Sequence, residues 1–209
     1  MTAEAQGRRY RGQAVEDRRA ERRQRLLAAG LAVFGEAGYH AATVRSICAS
    51  AGLTERYFYE SFANSEDLLC AVYEEHMRLQ QERIMAAVLD APREPEAMVE
   101  AGLRAFLELA REIPAAARVQ FVEVLGVSPR VDKLYRQSIE NFAQMLRTLN
   151  LQMPQSGRLR DEETLSIGLV GAAVGIASRW LLSGFTQQLD DMLATMLLIF
   201  MGVWGKTQE

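Results

Sequence analysis

The 209-residue sequence predicts an all-α fold, and three observations carry that expectation. No stretch alternates apolar and polar residues with the period of two that a half-buried strand requires. Apolar residues recur instead at spacings of three and four, as in Leu27, Leu31 and Phe34, or in Tyr135, Ile139, Phe142, Leu146 and Leu149. Glycine and proline fall between these periodic stretches, where helices start and stop.

Nearly half the residues are apolar, and 24 Lys+Arg face 27 Asp+Glu for a net charge of −3. That balance excludes wholesale disorder. The length suits one large domain, or a small one joined to a larger one. Cys48 and Cys70 are too few for a disulfide scaffold and are expected as reduced thiols of a cytoplasmic protein. The first residues are arginine-rich without an apolar core, so they do not read as a secretory signal. The longest charge-free runs, 164–178 and 192–205, fall short of the ~20 residues a membrane span needs, so none is expected.

Residues 1–15 are polar with scattered glycine, expected as a frayed basic arm. A helix follows from Glu16 and ends at Gly35 and Gly38. Thr43 is a plausible N-cap for a short helix over 44–51, and Gly52 breaks the chain. Thr54 caps a second short helix over 55–61, with Leu53, Phe58 and Phe62 directed to a common core. Asn64, Ser65, Glu66 and Asp67 open the next helix, where acidic residues suit the N-terminal dipole. Leu69, Tyr73, Met77, Ile84 and Val88 keep it amphipathic to about Leu89. After a break at 91–95, a helix over 96–111 shows Val99, Leu103, Phe106 and Ala110 on one face. Pro114 suits a first helical position, and that helix is expected to run through Phe121 to Gly126. Another begins at Ser128-Pro129. Residues 152–160, with Pro154 and Gly157, read as a loop.

The last two helices, over 161–183 and 189–206, are apolar almost all round, so each needs cover on more than one face. The first contains Gly168, Gly171 and Gly175. Glycine costs about 1 kcal/mol in a helix interior, so a close packing partner is expected. Burial inside one subunit is one account. A subunit interface through Gly168, Gly171, Gly175, Trp180, Leu197 and Met201 is the favoured one, because little chain remains to cover them. Arg179, the one charge in the first of these helices from Thr164 onward, either pairs across that interface or lies at the helix edge.

Charge is unevenly distributed. Residues 1–62 hold ten Arg, no Lys and seven acids, net +3, and the remainder is net −6. A basic head on an acidic body fits nucleic acid at one end, although a solvated helix face has the same signature. The head also carries two short helices joined by a glycine-containing turn, as a helix-turn-helix requires. Its second helix would expose Thr54, Glu55, Arg56, Tyr57 and Tyr59 to base edges while its back packs on the first.

From Arg25 to Leu69 this head resembles the N-terminal domain of TetR-type transcriptional regulators. The resemblance rests on Leu27, Ala28, Ala29, Phe34, Gly38, Thr43, Ile47, Ala51-Gly52, Tyr59 and Phe62. It implies about nine helices, with a helix-turn-helix head over 16–63 and a ligand-binding and dimerisation body over 64–209. It further implies that Thr43 and Tyr59 contact phosphate, that Arg45 reaches backbone or base, and that Glu55, Arg56 and Tyr57 read bases. Two positions depart from the family pattern. Ser65 stands where a phosphate-contacting lysine is usual, and Tyr57 where a small residue is usual. A carboxylate such as Glu55 can accept from cytosine N4.

The same resemblance places a cavity in the body, where Met77, Phe106, Phe121, Tyr135, Phe142 and Met145 are either core or pocket lining. Arg118, Gln120 and Glu123 are candidate polar contacts. His76, mid-helix, is a buried polar residue or a pocket group. The two histidines, His40 and His76, have no Cys, His or Asp partners at metal-ligand spacing, and no cofactor, metal or enzymatic activity is expected. The expected protein is a homodimeric repressor on a near-palindromic operator in double-stranded DNA, released by a small hydrophobic or amphipathic ligand. The alternative is a constitutive or architectural DNA-binding factor.

Overall fold

The computed structural model describes residues 3–150 and 161–205, with side chains over 16–149 and 161–202. Among these, nine α-helices occur: α1 (Ala3–Ala37), α2 (Val44–Ala51), α3 (Glu55–Tyr59), α4 (Ser65–Asp90), α5 (Pro95–Glu112), α6 (Pro114–Arg118), α7 (Pro129–Asn150), α8 (Glu162–Leu182) and α9 (Leu189–Gly205). The chain divides into two compact units, Met1–Val72 and Tyr73–Glu209. The division falls inside α4, whose first turns carry the buried Leu68, Leu69 and Val72. The loop expected over 152–160 lies outside the described residues.

In the first unit, α1 begins at Ala3, well before Glu16, so helix covers the stretch expected as a frayed arm. Leu26, Leu27, Ala29 and Phe34 form its buried face. Gly38, at φ 85°, closes it in the left-handed region, which only glycine enters without strain. Gly30 permits close approach to α4, since a Cβ there would lie 2.8 Å from the Leu68 side chain. Thr43 and Ser46 form a reciprocal capping box at the start of α2, satisfying donors the helix leaves open. α2 ends at Gly52, φ 61°. α3 is one turn and a half, shorter than the spacing suggested, and buries Phe58 against Phe62. Leu53 is only half-buried.

In the second unit, α5 packs on α9 and α7 on α8. Leu107, Ala117, Ala177, Trp180 and Met196 form the centre of its core. Pro95 and Pro114 stand at the first turns of α5 and α6, where the missing N–H costs nothing. The helix expected from Pro114 to Gly126 is not continuous α-helix. α6 passes into a π-helical turn, Val119–Glu123. By length and mean hydropathy, α8 alone among the described residues is long enough to cross a membrane. One face of it, with Leu169, Val170, Ala173, Ala177 and Trp180, is instead buried in this unit.

Candidate functional site

The head presents a polar, aromatic surface on α2 and α3. Thr43 and Arg45 are exposed at the start of α2. The Thr43 hydroxyl accepts from the Ser46 backbone N–H at 3.0 Å, so part of its capacity serves the cap. Thr54 opens α3 without a side-chain capping bond, which leaves its exposed hydroxyl available. Glu55 is exposed. Arg56 is 85 % exposed, and its guanidinium lies 3.4 Å from Glu60, a surface pair of small worth. Tyr59 is 58 % exposed. Ser65 sits half-buried at the first residue of α4.

Tyr57 departs from expectation. It is half-buried, and the guanidinium of Arg22 on α1 covers its ring at 4.5 Å. Such a contact is worth about 0.5–1 kcal/mol at a partly exposed site, so Tyr57 is held against α1 and does not stand free with its neighbours. Sequence reasoning also missed Glu60. Its carboxylate is 3.6 Å from Arg22, and its carbonyl accepts from Arg19 at 2.8 Å. Arg25 donates to the carbonyls of Ala51 and Gly52 at 2.6 and 3.3 Å. The arginines of α1 thus clamp α2 and α3, and part of the head's positive charge is structural. Cys48 is buried, and burial pushes its thiol pKa up, with Glu55 adding to the shift.

The second unit contains an apolar cavity of ≈ 90 Å³. Ile84 and Val88 of α4, Val99 and Leu103 of α5, Phe142 and Met145 of α7, and Phe200 of α9 line it. Of the six residues expected to bind ligand, Phe106 and Phe142 reach this wall. Met77 and Phe121 are buried outside it. Arg118 is drawn aside by an ion pair with Glu123 at 2.9 Å, and Tyr135 is half-buried elsewhere on α7. An open groove of ≈ 830 Å³ adjoins the cavity, sharing Val88, Met98, Met145 and Leu149 with it. Arg93 is the one charged side chain among its described lining.

Two polar side chains enter the cavity wall. Gln80 and Gln120 are both buried, and they bond reciprocally: Gln120 Nε2 donates to Gln80 Oε1 at 2.9 Å, and Gln80 Nε2 to Gln120 Oε1 at 3.4 Å. Gln120 lies within the π-helical turn, and π-helical turns often mark functional sites. Gln80 was legible in principle, because it falls on the same helical face as Met77, Ile84 and Val88. His76 lies beside them, buried, with Nε2 lacking a hydrogen-bond partner. Burial pushes its pKa down to about 4, with the neighbouring Gln120 amide acting in the opposite direction. Tyr73 is similarly pushed up to about 12 by burial, opposed by its bond to Ser138.

Trp180 is a correction. It is 1 % exposed, and its indole N–H donates to the Gln187 carbonyl at 2.9 Å, so it belongs to the subunit's own core. Gly168, Gly171 and Gly175 are exposed, and a Cβ on any of them would meet no atom within 4 Å. Leu197 and Met201 are half-buried. Ile167 and Leu182 on α8, and Leu198 and Ile199 on α9, are exposed apolar residues.

Residues 26–72 match the family described as bacterial regulatory proteins, tetR family. Over 167 residues the chain is 26 % identical to the HTH-type transcriptional activator FasR of Mycolicibacterium smegmatis, covering 78 % of this chain and 74 % of that protein. The fold is shared with the fatty acid degradation regulator FadR of Bacillus halodurans, at a TM-score of 0.77, 18 % identity, and coverage of 87 % and 95 % of the two chains. It is also shared with FadR of Bacillus subtilis, solved in complex with stearoyl-CoA, at a TM-score of 0.71, 17 % identity, and coverage of 83 % and 95 %.

Proposed function

Taking as premise a chain that belongs to the tetR family of bacterial transcriptional regulators through its N-terminal unit, we propose a homodimeric DNA-binding repressor that a small apolar or amphipathic effector releases from its operator. The observation that carries this reading is the small apolar cavity in the second unit. At ≈ 90 Å³ it is well below the roughly 300–1,000 Å³ of ordinary ligand pockets. A whole effector must therefore enlarge it, and a ligand that binds only an enlarged state shifts the population toward that state. Gln80, Ile84 and Val88 line the cavity from α4, the helix whose first turns belong to the head.

The stearoyl-CoA complex of the Bacillus subtilis neighbour supports an acyl chain as the effector body, since a narrow apolar cavity admits a chain end-on. The activator name of the Mycolicibacterium smegmatis relative bears on the sign of regulation, which depends on where the operator lies. In the head, Thr43, Arg45, Tyr59 and Ser65 contact phosphate or backbone, while Thr54, Glu55 and Arg56, with the edge of Tyr57, face the major groove. Two copies pair through the exposed face of α8 and α9. The glycines there have no packing partner within the subunit, and a second copy supplies one.

Selecting bound DNA from a random pool and footprinting it tests the reading. The expected site is near-palindromic. Effectors found by thermal shift should lower operator affinity, and a hundredfold drop corresponds to about 2.7 kcal/mol of coupling. Operator DNA must then weaken effector binding by the same factor. A ligand that fills the cavity and leaves operator affinity unchanged favours the constitutive alternative.

A further inference from the structure

The wall of the cavity is apolar except at one place, where Gln80 and Gln120 meet. Burying an amide among Ile84, Leu103 and Phe106 is unfavourable unless its hydrogen bonds are made. Each glutamine amide has two N–H donors and an oxygen that accepts two bonds. The reciprocal pair uses one donor of each. What remains is one N–H and one oxygen lone pair on each amide. The polar spot therefore keeps two N–H donors for a bound ligand.

We propose that the paired amides of Gln80 and Gln120 make the cavity selective for a ligand whose buried end carries a hydrogen-bond acceptor, such as a ketone or ester carbonyl, over one that ends in plain alkyl carbon. This rests on the cavity being the effector site and adds the chemistry that distinguishes one effector from another. A cavity of about 150 Å³ accommodates benzene, so ≈ 90 Å³ takes the end of a chain and not a whole effector. No charged side chain occurs among the described residues of the cavity wall, so a carboxylate or phosphate on the same ligand stays outside it. The groove that shares Met98 and Met145 with the cavity, and carries Arg93, receives that end. A carbonyl meeting two spare N–H groups gains bonds that an alkyl terminus cannot make. A site built to hydrogen-bond rejects the analogue lacking the group more strongly than an apolar site rejects an added one.

The test uses the full-length protein and two series of probes. One is the straight-chain carboxylates of eight, ten and twelve carbons. The other is the same chains with a ketone at the carbon next to the far end. Titration calorimetry at each length should show the oxo acid binding at least tenfold more tightly at the best-fitting length. The double variant Gln80→Met, Gln120→Met replaces both partners by apolar side chains of similar size, and it should reverse the preference. If that variant does not fold, the wild-type preference alone decides. Plain acids that bind as well as the oxo acids and release the operator overturn the acceptor selectivity while leaving the effector reading intact. A preference that survives unchanged in a folded double variant also overturns it. Failure of both series to bind at every length overturns the selectivity together with the cavity as effector site.

Discussion

The two units differ in where their unsatisfied chemistry lies. In the head, the interior is complete. Leu26, Phe34, Ile47 and Phe58 are fully buried, arginines of α1 cap the carbonyls of α2 and α3, and the unspent groups are polar and on the surface. In the second unit the pattern is reversed. The interior keeps an unfilled volume, an amide pair with spare donors and an unpartnered imidazole nitrogen, while Leu182 and Leu198 stand exposed. A head with polar groups outside suits a polyanion in water. A body with apolar groups outside and polar ones within suits a second apolar surface and a ligand that enters.

The largest effect separates core from interface within the body. Trp180→Ala should lower subunit stability by about 3–5 kcal/mol, the usual cost of an emptied large aromatic site, measured by urea unfolding at fixed protomer concentration. Gly171→Phe should leave the subunit folded, because nothing within 4 Å obstructs it, yet yield monomers by light scattering. A Trp180→Ala variant with unchanged unfolding but lost dimers would return Trp180 to the interface.

Next comes His76. Its folded pKa of about 4 lies below the ordinary value of 6.5, so the unfolded chain binds the extra proton. The contribution is full above pH ~6.5 and is lost as pH falls toward ~4, by at most about 3 kcal/mol. His76→Leu should flatten that part of the pH–stability curve relative to wild type. Identical slopes in the two proteins would show the ring to be solvated.

Smaller effects divide the head's surface by role. Arg56→Ala should cost about 1–3 kcal/mol of operator affinity and relax preference at one base pair, read by binding to single-substituted operators. Retention of full base preference would remove Arg56 from the reading set. Tyr59→Phe, a single neutral hydrogen bond, should cost about 0.5–1.5 kcal/mol and weaken all sequences alike. A loss confined to one sequence would make Tyr59 a base reader.

The amino-acid sequence by itself determined the helices, their order and the nature of the head. Apolar spacing, Gly38, Gly52, Pro95 and Pro114 act through local backbone geometry, which does not wait for distant contacts. α2, bounded by Thr43 and Gly52, was readable to the residue for that reason. The tertiary structure alone decided the cavity wall, the side of α8 on which Trp180 lies, the cover that Arg22 gives Tyr57, and the π-helical turn that carries Gln120. Periodicity ranks residues by face, but every apolar face looks alike until a partner helix is placed. Met77 and Phe142 share the same pattern, and only packing put one in solid core and the other against empty space. The amide pair shows the same limit most plainly. Gln80 and Gln120 are forty residues apart, and no local rule joins them. Their bond exists because the fold buries both in apolar surroundings, where each must find a partner.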